Sequence, residues 1–228
     1  MKRKVITTSD GSTTIHLVDW DEQYHSKHGA IQEAYHVFIK NGLSLFQNRS
    51  ISILEIGFGT GLNALITWME SNARGLNIEY TGVEAFPIAK AELQKLNYIA
   101  ELKAQTYHKG FYQMHRAPWE EKVTIAENFR LTKQKKDFAE IAESDLFNLI
   151  YFDAFGARVQ PELWTASIFS KMYRALKVNG TLVTYAAKGS VRRAMQAVGF
   201  SVERLPGPPG KREMLRATKL DDSTLEKS

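Results

Sequence analysis

Four acidic residues stand at or just beyond the ends of apolar or β-rich segments: Glu55, Glu84, Asp137 and Asp153. In an open α/β sheet, ligands bind beyond the carboxyl ends of the strands, so carboxylates there face a ligand. Glu55 opens the run Glu55-Ile56-Gly57-Phe58-Gly59-Thr60-Gly61-Leu62-Asn63. Gly57, Gly59 and Gly61 let the backbone turn sharply and approach a ligand closely. A dinucleotide fingerprint needs a glycine at position 62, where leucine stands. The spacing E-x-G-x-G-x-G instead suits S-adenosylmethionine, with its methionine part and ribose against the loop. The plainer reading is an ordinary strand-to-helix turn.

Glu84 follows Ile78-Glu79-Tyr80-Thr81-Gly82-Val83, at a distance from the glycine loop close to that at which an acid meets ribose hydroxyls. A carboxylate accepts two such hydrogen bonds at once. Asp137 follows Phe129 to Lys136 and is a candidate acceptor for an adenine amino group; alternatively it pairs with Lys133, Lys135 and Lys136 on a solvated strand face. Asp153 ends the most apolar run, Phe147 to Phe152, beside the expected methyl donor. There it can orient an amine and accept its proton, or merely cap the next turn.

Other chemistries lack their residues. The chain has no cysteine, which excludes disulfides, thiolate zinc sites, iron–sulfur clusters and a cysteine nucleophile. Six histidines show no metal-ligand pattern, so no metal is expected. No P-loop lysine follows the glycines, and no serine sits in a nucleophile elbow. No apolar run is long enough for a membrane span, and Thr7 to Gly11 stand where a signal peptide needs apolar residues. A cytoplasmic protein is expected.

The elements that must position these acids alternate. Val5–Thr8 and Thr13–Val18 read as a hairpin around Asp10-Gly11, and 29–47 as a helix. Strand Ile51–Ile56, helix Leu62–Ser71, strand Asn77–Glu84 and a helix from Pro87 to about Ala104 follow. Strand material lies around Glu127-Asn128 and at Phe147–Phe152. A helix Pro161–Leu176 is closed by Asn179-Gly180, then come strand Thr181–Ala186 and helix Val191–Val198. Strands Phe200–Leu205 and Glu213–Ala217 are separated only by Pro206-Gly207-Pro208-Pro209-Gly210, so they pair antiparallel. An open parallel sheet finished by a reversed strand is the class I, Rossmann-like methyltransferase layout. The divisions are an N-terminal hairpin and helix extension at 1–47, a methyltransferase domain at 48–220 and a disordered tail at 221–228.

Hydrophobic residues make up 43% of the 228 and charged residues 24%, a globular balance. The net charge of +5 is unevenly placed: Lys171 to Arg216 holds ten basic residues against Glu203 and Glu213, a segment of +8. This suggests a polyanion-binding face in the C-terminal quarter.

Taken together, these residues are similar to a known family. The chain from about Val5 to Leu220 resembles the methyltransferase domain of bacterial bifunctional enzymes that make 5-methylaminomethyl-2-thiouridine in tRNA. The resemblance is carried by Tyr24-His25-Ser26 with Gly29 and Glu33, the glycine loop to Asn63, Glu84-Ala85-Phe86-Pro87, and Phe152-Asp153-Ala154-Phe155 with Pro161 and Trp164. Val191-Arg192-Arg193, Gly199-Phe200 and Lys211-Arg212-Glu213-Met214-Leu215 complete it. It implies transfer of a methyl group from S-adenosylmethionine to the primary amine of 5-aminomethyl-2-thiouridine at the tRNA wobble position. With no room for the flavin oxidoreductase domain, the chain looks like a stand-alone version, supplied by a separate oxidoreductase or other upstream tRNA-modifying enzyme.

On this reading Glu55, Gly57, Gly59, Gly61, Glu84 and Asp137 hold the donor. Asp153 serves the amine, with Phe155 and Trp164 desolvating it. Arg192, Arg193, Lys211 and Arg212 hold the phosphates of the anticodon stem-loop. Two rivals are a methyltransferase for a small or protein amine, and a non-catalytic RNA-binding relative. The +8 segment argues against the first, and the intact acids and glycines against the second.

Overall fold

The computed structural model describes residues 2–221, so all of the expected tail but Asp221 lies outside the described residues. Eight strands form one sheet: β4 (Ser50–Ile56), β5 (Asn77–Val83), β6 (Lys122–Ala126), β7 (Phe129–Gln134), β8 (Phe147–Phe152), β9 (Leu176–Thr184), β10 (Ser201–Pro206) and β11 (Glu213–Thr218). Their order is β10-β11-β9-β8-β4-β5-β7-β6. The segment β9-β8-β4-β5-β7 is parallel. β11 runs antiparallel to both neighbours, β9 and β10, and is the reversed strand of a class I methyltransferase sheet. β6 adds an antiparallel edge beyond β7.

The hydrophobic pattern explains the layering. β4 and β8 are apolar on both faces, as strands covered on each side must be. One face is covered by α2 (Leu62–Ala73) and the N-terminal helix, the other by α6 (Ala166–Ala175) and α7 (Gly189–Ala197). Tyr80, Phe129, Tyr151 and Phe169 are among the largest side chains shut away from water. Burial of such a side chain contributes roughly 1.5–3 kcal/mol.

The N-terminal extension is a three-stranded sheet, β1 (Arg3–Thr7), β2 (Thr13–Leu17) and β3 (Glu22–Gln23), of which the hairpin β1–β2 was expected. It is followed by α1 (Ala30–Ala34), which widens into a π-helix over Tyr35–Lys40 rather than continuing regularly to 47. The Asn41 side chain donates to the His36 carbonyl at 2.7 Å and ends the run there.

Three other elements differ from expectation. The helix from Pro87 breaks into α3 (Lys90–Leu93) and α4 (Tyr98–Glu101), because Asn97 turns toward the hairpin. Its side chain accepts from the Thr13 N–H at 2.8 Å and donates to the Gly11 carbonyl at 2.9 Å. A further helix, α5 (His108–Arg116), carries Gly110 where the Trp68 ring leaves no space for a Cβ. β9 begins directly after α6, so Asn179-Gly180 lies inside a strand, where the pairing with β8 slips register.

β4, β5 and β8 end side by side, and Gly57 lets them do so. Its φ is 90°, and an added Cβ would lie 2.7 Å from the Asp153 carbonyl oxygen. Gly57→Ala is expected to destabilise the fold by about 1–3 kcal/mol through backbone strain alone. Urea denaturation checks this; an unchanged midpoint would show that the loop yields.

Candidate functional site

The glycine loop leaves β4 and crosses the end of β5. The N–H groups of Gly57 and Phe58 both bond the Val83 carbonyl at 3.0 Å. Gly61, at φ 70°, starts α2. Beside the loop, Glu84 is buried, and its two oxygens accept from the Gly59 N–H at 2.9 Å and the Phe86 N–H at 2.8 Å. Burial raises its pKa, against the pull of these N–H groups and of Arg3. Each oxygen keeps a lone pair that can accept a ligand hydroxyl.

Asn63 joins two further carboxylates. Its Nδ2 donates to Glu55 Oε1 and to Asp153 Oδ2, both at 2.9 Å. Tyr80 donates to the other Glu55 oxygen at 2.8 Å. Burial pushes the Glu55 carboxyl well up. Burial, then the charge of Glu33, raises Asp153 to about 7, opposed by the Asn63 hydrogen bond and by Lys211. A carboxyl poised near neutral pH can hold or release a proton under working conditions. Asn63 Oδ1, also buried, has no hydrogen-bond partner among the described residues. That orphaned acceptor suits a ligand that brings an N–H, and S-adenosylmethionine carries an amino group.

These groups line one cavity. Its other walls include Arg3, Leu17, Trp20, Tyr24, His25, Phe86 and Phe138. Phe155 packs edge-on to Trp20 and Tyr24, with centroids 5.9 and 5.0 Å apart. The N-terminal sheet roofs this cavity: Arg3 donates to the carbonyls of Phe86 at 2.8 Å and Pro87 at 3.2 Å, and pairs with Glu92. Burial lowers His25 to about 4, so its ring is neutral at pH 7.

A second cavity shares Tyr24 and His25 with the first and adds Glu33, Arg158, Tyr185 and Lys211. Lys211 pairs with the buried Glu33 at 2.6 Å, and its ammonium lies 3.8 Å from the Tyr185 ring centroid. The Tyr185 hydroxyl donates to the Ala154 carbonyl at 2.7 Å.

The structure brings Glu55, Gly57, Gly59, Glu84, Asp137, Asp153 and Phe155 to the first cavity. Asp137 is an exposed rim residue, and its Oδ1 accepts from the Ala139 N–H to cap a short turn. Lys133, grouped with it as a solvated cation, is buried and donates to the His115 carbonyl. Gly61 lies behind the loop against His115. Trp164 is buried below the wall, where its indole donates to the Phe155 carbonyl at 2.7 Å and so holds that loop. Lys211 sits in the second cavity, while Arg192, Arg193 and Arg212 line neither. Arg3, Trp20, Asn63 and Tyr185 escaped the reading of the residues. Only Asn63 left a signal, as the residue that closes the glycine motif.

Comparison with known proteins places this geometry among relatives. Residues 94–220 match the family described as S-adenosyl-L-methionine-dependent methyltransferase. The chain is 33% identical over 217 residues to the tRNA 5-methylaminomethyl-2-thiouridine biosynthesis bifunctional protein MnmC of Aromatoleum aromaticum, covering 88% of this chain and 33% of that protein. The counterpart from Hydrogenovibrio crunogenus is 29% identical over 208 residues, covering 86% and 31%. The chain therefore spans about a third of the length of these relatives. A crystal structure of MNMC2 from Aquifex aeolicus superposes with a TM-score of 0.74 at 25% identity, covering 99% of this chain and 75% of that one.

Glu84→Ala removes the carboxylate that accepts from the loop at Gly59 and is expected to weaken S-adenosylmethionine binding roughly 10- to 150-fold, the loss of charge-assisted hydrogen bonds. Calorimetric titration checks it, and wild-type affinity would remove Glu84 from the donor site.

Proposed function

The chain belongs to the S-adenosyl-L-methionine-dependent methyltransferase family, and on that premise we propose that it methylates the primary amine of 5-aminomethyl-2-thiouridine at the wobble position of tRNA. The observation that carries this reading is Asp153, a half-buried carboxyl held by Asn63 and poised near neutrality in the same cavity as the Glu84 cradle. The names of the bifunctional relatives supply the substrate. A separate oxidoreductase or other upstream enzyme would prepare the aminomethyl group, and the cytoplasm is where such a tRNA is met.

The donor, when bound, supplies an electrophilic methyl on a sulfonium. The chain's task is to present a neutral amine, because an ammonium has no lone pair. A free alkylamine has a pKa of roughly 10, near the lysine reference. Desolvation against Tyr24 and Phe155, which pack together in the cavity wall, lowers it. The Asp153 carboxylate, held by Asn63, accepts the proton and orients the nitrogen. Glu84 and the glycine loop hold ribose and methionine parts, and Asp137 stands at the rim for the adenine amino group. Positioning supplies most of the acceleration.

The wobble base has to leave its stack to reach this depth. Arg192 and Arg193 lie in the first turns of α7, which follows β9; Arg212 lies in the loop after β10. β9 and β10 both run antiparallel to β11, so these segments share the sheet end that holds the site. We assign these three arginines to the anticodon stem-loop phosphates.

Tritiated S-adenosylmethionine with tRNA from cells lacking the enzyme, followed by nucleoside analysis, tests the function. Label in 5-methylaminomethyl-2-thiouridine is expected, and label in any other nucleoside or none overturns the reading. In single turnovers the rate should fall as pH drops through about 7 and Asp153 gains its proton. Asp153→Asn should lower the rate roughly 10²–10⁴-fold and leave only the titration of the amine itself in that limb; an unaltered profile excludes Asp153 as acceptor. Converting Arg192, Arg193 and Arg212 to alanine should flatten the salt dependence of tRNA binding by about 0.7 in slope per lost single-strand contact, as read by filter binding. Unchanged slopes would make them ordinary surface charge.

A further inference from the structure

The second cavity contains a pair whose cost needs a reason. Glu33, on α1, has a side chain only 8% exposed, and Lys211 comes from the loop between β10 and β11 to meet it. Taking two charges out of water is expensive, and an apolar pair of the same volume often gives equal or better stability. Beyond their mutual contact, Glu33 accepts from the Ser26 N–H at 2.8 Å. Lys211 rests one face on the Tyr185 ring. A carboxylate has about four lone-pair sites and an ammonium three N–H donors. The pair therefore still presents an acceptor and a donor side by side on the cavity wall.

That order of groups complements one pyrimidine edge. Uracil carries a donor at N3–H next to an acceptor at O4. Cytosine reverses both, with an acceptor at N3 and a donor at N4. Extruded bases are read by hydrogen bonds to this edge. The C5 substituent is adjacent to C4, so a base bound through O4 at Lys211 projects its C5 arm on the neighbouring side. Tyr185 links that position to the amine site: its ring lies under Lys211 and its hydroxyl bonds the carbonyl of Ala154, the residue after Asp153.

We propose that Glu33 and Lys211 are the uracil-reading residues of the second cavity, Glu33 accepting the N3–H and Lys211 donating to O4, so that the C5 aminomethyl arm meets Asp153. This rests on the reading of the chain as a wobble-uridine methyltransferase. The pair is then a specificity device as well as a tie between α1 and the β10–β11 loop.

Two synthetic anticodon stem-loops test it, identical but for 5-aminomethyl-2-thiouridine or 5-aminomethyl-2-thiocytidine at the acceptor position, with tritiated S-adenosylmethionine as donor. Wild type should prefer the uridine loop roughly 5- to 150-fold in kcat/KM, the discrimination a bidentate base contact gives. Glu33→Gln should narrow that ratio by roughly tenfold, because an amide can turn either its donor or its acceptor to the base. Lys211→Met should narrow it too, by weakening the hold on uracil O4 and removing the cation that opposes the cytosine amino group. S-adenosylmethionine affinity by calorimetry should stay at the wild-type value in both variants. If Glu33→Gln loses that affinity, the ratio for Lys211→Met decides alone. A ratio that stays at wild type while both substrates slow equally would make the pair a structural tie and overturn the proposal. Wild-type enzyme that binds the donor yet transfers no methyl to the uridine loop would instead overturn the functional reading beneath it.

Discussion

The whole site depends on one primary amide. Asn63 Nδ2 holds Glu55 and Asp153, carboxylates from the ends of two neighbouring parallel strands, with its two hydrogens. Two like charges brought together out of water repel, and a shared donor offsets part of that cost. The same contact fixes the amide's orientation, since the reverse would aim its oxygen at both carboxylates. Asn63 sits in the first turn of α2, so the path of the chain out of the glycine loop and the position of Asp153 in the cavity wall are one constraint. The absence of side chains at Gly57 and Gly59 serves the same end: the Asp153 carbonyl and the Tyr24 ring occupy the space that their Cβ atoms would need.

Much of this was legible in sequence because it is local. The acids at strand ends follow from apolar runs that stop at Glu55, Glu84 and Asp153, and the reversed strand follows from a Pro/Gly linker too short for a helix. What could not be read is long-range. Asn97 appears as an ordinary helix residue until the hairpin, more than eighty residues away, takes its side chain. Asn179-Gly180 carries every mark of a turn, and Asn179 has the left-handed φ of 62° to match, yet both lie within β9, where they exchange backbone hydrogen bonds with Lys219 while the register with β8 slips past them. Arg3 and Tyr185 belong to the site region only because the chain folds them there.

Charge teaches a similar lesson. The +8 of the C-terminal quarter overstates the free positive field. Arg204 and Arg216 pair with Glu213 and Glu203 across β10 and β11, and Lys211 is neutralised by Glu33 from the other end of the chain. Such exposed cross-strand pairs contribute little to stability, but they remove cations from any count of phosphate contacts. The cations left for a polyanion are fewer and divided: Arg192, Arg193 and Arg212 follow the carboxyl ends of β9 and β10, while Arg174 and Lys177 lie at the opposite end of the sheet, where α6 enters β9.

The N-terminal sheet that roofs the first cavity has a consequence for how the protein is made. Arg3 reaches its carboxylate partner Glu92 across 89 positions, and Thr13 reaches Asn97 across 84. Closing loops of that length is entropically slow. During synthesis the roof leaves the ribosome before the strand and short helices that it covers. The sheet beneath can assemble from nearer pairings, such as β4 with β5, in the meantime. A chain that has its sheet in place but not residues 3–23 docked would be a compact species without a closed cavity.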